Sequence, residues 1–168
     1  MNYTKRDNGF TLVEVLVVIV IIGILGAIAF SKLASSTTNA RQKADVATGH
    51  QVKAALDRYE LENGTYPIKD KGLTIKDGEV TGTGFVPKYI SKLDKTTTQQ
   101  GVPTGGNKGF GYDVLTADSN VPPQYSIPAA GTGGIPNTIM IYLSSDGLAA
   151  EVRVYDEKLE KVLWTSAN

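Results

Sequence analysis

Gly9-Phe10-Thr11-Leu12-Val13-Glu14 opens an apolar run that continues to Phe30 and holds one ionisable side chain, Glu14, near its start. Residues 10–30 are otherwise Phe, Leu, Val, Ile, Ala and Gly apart from Thr11. About 20 such residues at roughly 1.5 Å each span the ~30 Å hydrocarbon layer of a bilayer as a helix. A carboxylate near a membrane centre costs roughly 2.5–3.5 kcal/mol, which marks Glu14 as a functional residue in need of a partner. Ahead of the run lies a short polar stretch with Lys5 and Arg6 against Asp7, an arrangement that keeps this end cytoplasmic and sends the chain beyond Phe30 outward.

Two processing schemes fit this beginning. Ala27-Ile28-Ala29 has the small-residue pattern of a secretory cleavage site. The apolar stretch before it is longer than an ordinary signal core and contains Glu14, which such a core does not require. A cut after Gly9 instead retains the helix and leaves a free amine on Phe10, four positions before Glu14.

The combination of a short basic leader, Gly9 before the aromatic Phe10, Glu14 at fixed offset and the run Val15–Ala29 resembles the N-terminus of prepilins, the family of type IV pilins and of the pseudopilins of type II secretion and DNA uptake. The close resemblance covers residues 1 to about 34. It implies that a prepilin peptidase cuts between Gly9 and Phe10 and methylates the Phe10 amine. It also implies that Glu14 pairs with the Phe10 amine of another subunit, and that a membrane platform protein and a cytoplasmic assembly ATPase act as partners. An α-amino group with a reference pKa of about 7.7–8.0 is largely cationic at neutral pH, so such a pair satisfies a carboxylate that apolar surroundings would otherwise neutralise. The organisation expected is residues 1–9 as a cleaved leader, 10–30 as a transmembrane or filament-core helix, and 31–168 as an exported head that includes the second half of the long helix.

Composition bounds the remainder. The 168 residues, 41% hydrophobic, leave room beyond the span for one domain with a core of its own. Of 17 basic and 17 acidic residues the leader carries off Lys5, Arg6 and Asp7, leaving 15 against 16, a balance that suits packing among identical copies and predicts no direct nucleic-acid binding. Cysteine is absent, so no disulfide staples the head, a departure from many Gram-negative major pilins.

One helix is expected from near Phe10 to about Glu62, closed by Asn63-Gly64, residues that tolerate a left-handed cap. Its second half carries Val52, Ala55, Leu56 and Tyr59, expected to meet a sheet, and a thinner stripe of Leu33, Ala40, Ala47, Ala54 and Leu61, expected to face other helices. Lys32, Arg41 and Lys43 come early and Asp57, Glu60 and Glu62 late, a gradient that staggered copies could match. Gly23 and Gly26 are points where the helix could loosen, or close-packing sites. Residues 68–137 read as loop-rich, with eight glycines and five prolines between Gly101 and Asn137 and a short element at Phe85–Ile90. Strands are expected at Gly109–Leu115, Thr138–Leu143, Glu151–Tyr155 and Val162–Trp164, with a turn at Asp146-Gly147. The fold class is therefore α+β: a long N-terminal helical spine packed on a C-terminal antiparallel sheet of about four strands, with Val152, Val154 and Trp164 against the helix.

No catalytic pattern is present. The single His50 lies mid-helix, no nucleophile elbow or phosphate loop occurs, and no cofactor or metal is expected. Asp113, Asp118 and Asn120 offer hard oxygen ligands, but their spacing fits turn chemistry better. Asn63-Gly64-Thr65 matches a glycosylation sequon at a position better explained as a helix cap. The function expected is that of a non-enzymatic structural subunit of a type IV pilus-like homopolymer, moving from the cytoplasmic membrane to the cell surface. The alternatives are a type II secretion or competence pseudopilin, and a tethered or secreted binding domain that does not polymerise. Substituting Gly9→Leu is expected to block leader removal, and immunoblotting checks this through retention of the precursor size.

Overall fold

A computed structural model describes residues 10–68, 72–102, 107–127 and 136–167. The leader, Gly9 included, lies outside the described residues. The chain divides into two units, residues 1–39 and 40–168. Helix α1, Leu12–Asn63, runs from one into the other and at 52 residues is about 78 Å long.

In the first unit the helix has no packing partner, and every residue from 10 to 37 is exposed. In the second, a face repeating at helical spacing turns inward: Asp45, Gly49, Val52 and Leu56 are buried, and Val46 and Tyr59 pack against the core. Ala40, Ala47, Ala54 and Leu61 do not join that core, and Leu33 is exposed in the first unit, so this stripe is not used within the head. The helix ends where predicted. Gly64 takes φ +80° and its amide donates to Glu60 O at 2.7 Å, while the Asn63 side-chain amide donates to Tyr59 O at 2.8 Å and Tyr89 Oη at 3.0 Å.

Residues 72–100 are more ordered than their composition suggests. Strands β1 (Thr74–Lys76) and β2 (Glu79–Thr81) make a hairpin through Asp77 and Gly78, both at positive φ. Phe85 and Tyr89, in turns without regular structure, clasp the Tyr59 ring with centroids 6.2 and 5.2 Å away. Leu73, Val80, Phe85 and Leu93 contribute to the core.

The main sheet holds β3 (Asn107–Ala117), β4 (Tyr125–Ser126), β5 (Asn137–Ser144), β6 (Ala150–Tyr155) and β7 (Val162–Thr165) in the order β4-β3-β5-β6-β7. The four expected strands are present, joined by the two-residue β4. One pairing differs from an all-antiparallel sheet: β3 and β5 run parallel, with Phe110 opposite Ile139 and Val114 opposite Leu143. The connection through residues 118–136 is long enough to return to the start of β3, as a parallel neighbour requires, and β4 folds back antiparallel on the free edge of β3 along the way. Phe110, Ile139, Ile141, Leu143, Val152 and Val154 share the buried core with the helix; Leu115, Met140 and Tyr142 form a second cluster on the opposite face. Burial pushes the Tyr142 hydroxyl well above its usual pKa, and Tyr155 Oη lies 3.1 Å away.

Where the helix faces Val154 and Trp164 of the sheet it carries Gly49. A methyl built there falls 2.6 Å from Val154 Cγ2 and 3.2 Å from the Trp164 ring, which itself lies against the His50 imidazole with centroids 4.1 Å apart. His50 is thus exposed on one side and covered on the other by Trp164.

Two turns are locked by carboxylates. Asp118 accepts the amides of Gln124 at 2.7 Å and Asn120 at 3.1 Å. Asp146 accepts Ser144 Oγ at 2.6 Å, Tyr125 Oη at 2.6 Å and the Leu148 amide at 3.0 Å. These donors hold both carboxyls below the usual carboxylate range, the Gln124 amide contributing most at Asp118 and Ser144 most at Asp146. The Lys92 ammonium, with Thr96, does the same more strongly at Asp94.

Two outcomes are expected in thermal unfolding monitored by circular dichroism in micelles. Alanine raises helix propensity by about 1 kcal/mol over glycine, while overpacking costs typically 1–3 kcal/mol, so Gly49→Ala is expected to lower the melting temperature. For the three carboxylates the folded pKa is depressed, so their stabilisation is complete above the unfolded value of about 3.9 and is lost as pH falls through the folded values. The melting temperature should therefore hold between pH 7 and about 5 and drop below about 4.

Candidate assembly segment

The apolar end of α1 is built from residues that cannot be satisfied inside this chain. Phe10 is 83% exposed, Leu12 81% and Ile22 62%, and every residue from 10 to 30 is exposed. The helix is long and apolar enough to cross a membrane. Methyl groups built on Gly23 or Gly26 meet nothing within 4 Å, so neither is a close-packing site within the chain.

The start of the helix is specified by its own side chains. Glu14 Oε2 accepts the Thr11 amide and the Thr11 hydroxyl, both at 2.9 Å, and Thr11 Oγ1 accepts the Glu14 amide at 3.3 Å. This is a reciprocal capping box, with Thr11 at the cap and Glu14 three positions on, and it places a carboxylate against the positive end of the helix dipole. Glu14 is exposed and one turn from Phe10 along the chain. Thr11 was not among the expected site residues, although the Thr-x-x-Glu pattern signals it. The chemistry available is binding: a carboxylate already seated at a helix start, ringed by apolar side chains and open to a cation from outside.

Other candidates serve the head. Asp113 Oδ1 accepts the neighbouring Val114 amide at 2.8 Å, and Asp118 and Asn120 belong to one of the carboxylate-locked turns. Among the described residues no group of three or more His, Cys, Asp or Glu is placed to hold a metal ion. Asn63 is engaged as a cap. Of the helix charges, Asp57 pairs with Lys53 and Glu62 with Lys88 at 3.3 Å, whereas Lys32, Arg41 and Lys43 make no ion pair among the described residues. Tyr89 Oη donates to Glu62 at 2.7 Å and, ahead of Lys88, holds that carboxyl below its usual pKa.

Residues 4–30 match the family model described as the prokaryotic N-terminal methylation motif. Curated relatives match further into the head. The chain is 40% identical over 133 residues to type II secretion system core protein G of Pseudomonas aeruginosa, covering 77% of this chain and 89% of that protein. It is 30% identical over 139 residues to the protein of the same name from Klebsiella michiganensis, covering 80% and 89%. The one from Aeromonas hydrophila is 42% identical over 69 residues, and there the chain spans about half, 48%, of the relative's length. No solved structure matches. With a methylation motif on the exposed apolar helix and identity that extends through the α+β head, this chain belongs to the type IV pilin and pseudopilin family, with the type II secretion system core proteins G as its relatives.

Proposed function

We propose that this chain is a pseudopilin, a non-enzymatic structural subunit of a type II secretion filament. The relatives support this reading better than the type IV pilus subunit expected from the sequence, because they bear the type II secretion name and two of them align along most of this chain. The observation that carries the proposal is the exposed apolar segment, residues 10–30, at the start of the helix whose later residues build the core of the head. After cleavage between Gly9 and Phe10 and methylation of Phe10 by a prepilin peptidase, residues 10–30 hold the subunit in the cytoplasmic membrane. A platform protein and an assembly ATPase then transfer it into a homopolymer with the apolar helices inside and the heads outside.

Glu14 decides when transfer is favourable. Lipid and a bundle of apolar helices are about equally good solvents for Val and Ile, so the hydrophobic effect does not distinguish them. An ammonium from another copy's Phe10 does, since it offers the carboxylate a charged partner in place of the neutral Thr11 donors. The helix charge gradient, in which Lys32, Arg41 and Lys43 have no ion-pair partner among the described residues, guides the stagger between copies. Exposed pairs of this kind contribute about 0–1 kcal/mol each.

Substituting Glu14→Gln keeps an oxygen for the Thr11 donors and removes the charge. It should insert in the membrane yet lower assembled filament, measured by shearing and immunoblot, by tenfold or more, the factor that about 1.4 kcal/mol of lost subunit affinity produces. Glu14→Ala should do the same, and normal assembly by Glu14→Gln would reduce Glu14 to a helix cap. Intact mass of the purified product should show a chain beginning at methylated Phe10; a start at Phe30 would indicate simple secretion.

A further inference from the structure

On the inward face of α1 sits Asp45, 0% exposed. Nothing cationic pairs with it among the described residues. Its two oxygens instead accept two successive main-chain amides, Gln99 N on Oδ1 at 2.6 Å and Gln100 N on Oδ2 at 3.1 Å, from a segment 54 and 55 residues further along the chain. Gln100 is itself 1% exposed, and its side chain donates onward to the main-chain oxygen of Tyr155 in β6 at 2.9 Å. One carboxylate thereby joins the helix, the loop of residues 94–100 and strand β6 of the main sheet.

A buried carboxylate is an expensive way to fill space, and an apolar residue at this helical position would stabilise the core more simply. What it supplies is direction. Two charge-assisted hydrogen bonds to adjacent amides fix both the position and the orientation of the loop, which an apolar contact would let slide. The loop has no regular structure to set its register, and its other side-chain bonds are local, such as Asp94 to the Thr96 amide at 2.9 Å and Thr98 Oγ1 to Lys95 O at 3.2 Å. Gln100 Oε1 is buried without a hydrogen-bond partner among the described residues, so its placement is set by the bonds made by its main-chain and side-chain nitrogens.

We propose that Asp45 is a latch, a positioning residue that fixes the 94–100 loop and, through Gln100, strand β6 on the helix, and so sets the one orientation in which the head is presented to neighbouring copies. Its consequence for assembly rests on the filament reading of this chain; the latch itself does not.

Hydrogen–deuterium exchange of the full mature chain in micelles, for wild type and Asp45→Asn, reads the latch. Asparagine keeps the shape but turns a donor toward one of the two amides, so exchange at Gln99 and Gln100 should accelerate at least tenfold while Ile139 to Leu143 of β5 keep their protection. Unchanged protection at Gln99 and Gln100, or an equal loss across β5, overturns the latch. Assembly is then compared with Ile141→Val, a mild truncation in the β5 part of the core. Asp45→Asn should assemble at least tenfold less than Ile141→Val, and equal yields would overturn the positioning role. Glu14→Ala separates the two readings: assembly by that variant counts against the filament mechanism, whatever the exchange at Gln99 shows.

Discussion

The constraint on which everything else depends is an apolar surface that this chain cannot bury by itself. Fifteen large hydrophobic side chains between Phe10 and Phe30 are exposed. At about 1.5–3 kcal/mol for each such side chain removed from water, the segment is driven out of solvent by on the order of 20–45 kcal/mol. That exceeds the ~5–15 kcal/mol by which an ordinary domain is stable, so no rearrangement of the head competes with it. The segment must lie in lipid or against other apolar helices, and the hydrophobic effect leaves the choice between them open. Polar terms of a few kcal/mol are then large enough to tell the two apart, and Glu14 is the one ionisable side chain within that surface.

The head buries only one face of the helix that enters it. Its core closes on the inner face of residues 45–59 and leaves Ala40, Ala47, Ala54 and Leu61 outside it. Small side chains on that outer stripe permit close approach by another helix. In the absence of cysteine, rigidity comes from aromatic packing at Tyr59, Phe85 and Tyr89, from carboxylate-locked turns and from the buried Asp45.

What the sequence made legible was whatever repeats at short range. The apolar run, the 3.6-residue face of the helix, the Asn63-Gly64 stop, the strands near the C-terminus and the Asp146-Gly147 turn each declare themselves within a dozen residues. The β1–β2 hairpin was equally declared, by Asp77-Gly78 between Ile75 and Val80, but lies inside a stretch whose glycine and proline content reads as loop. The parallel β3–β5 pairing could not be read, since relative strand direction is set by how the strands come together in the fold and not by any local pattern. At the assembly segment, Glu14 stood out because a charge in an apolar run is costly anywhere, and Thr11 was legible as the other half of a capping box. Asp45 carried only a weak signal, its place seven residues before Val52 on the inward face: an acid on a helix reads as solvated, and its partners are main-chain amides that have no sequence identity.

That contrast bears on how the two carboxylates work. Both carboxylates accept main-chain amides of this chain, Glu14 from Thr11 nearby and Asp45 from Gln99 and Gln100 far along the sequence. Asp45 has no exposed side from which a competing cation could reach it, so its bonds are permanent and serve to hold shape. Glu14 is open to its surroundings, so a donor from outside the chain has access to its carboxylate alongside Thr11. The same chemical group is fully enclosed in one place and open in the other, and that difference in access separates what each carboxylate can meet.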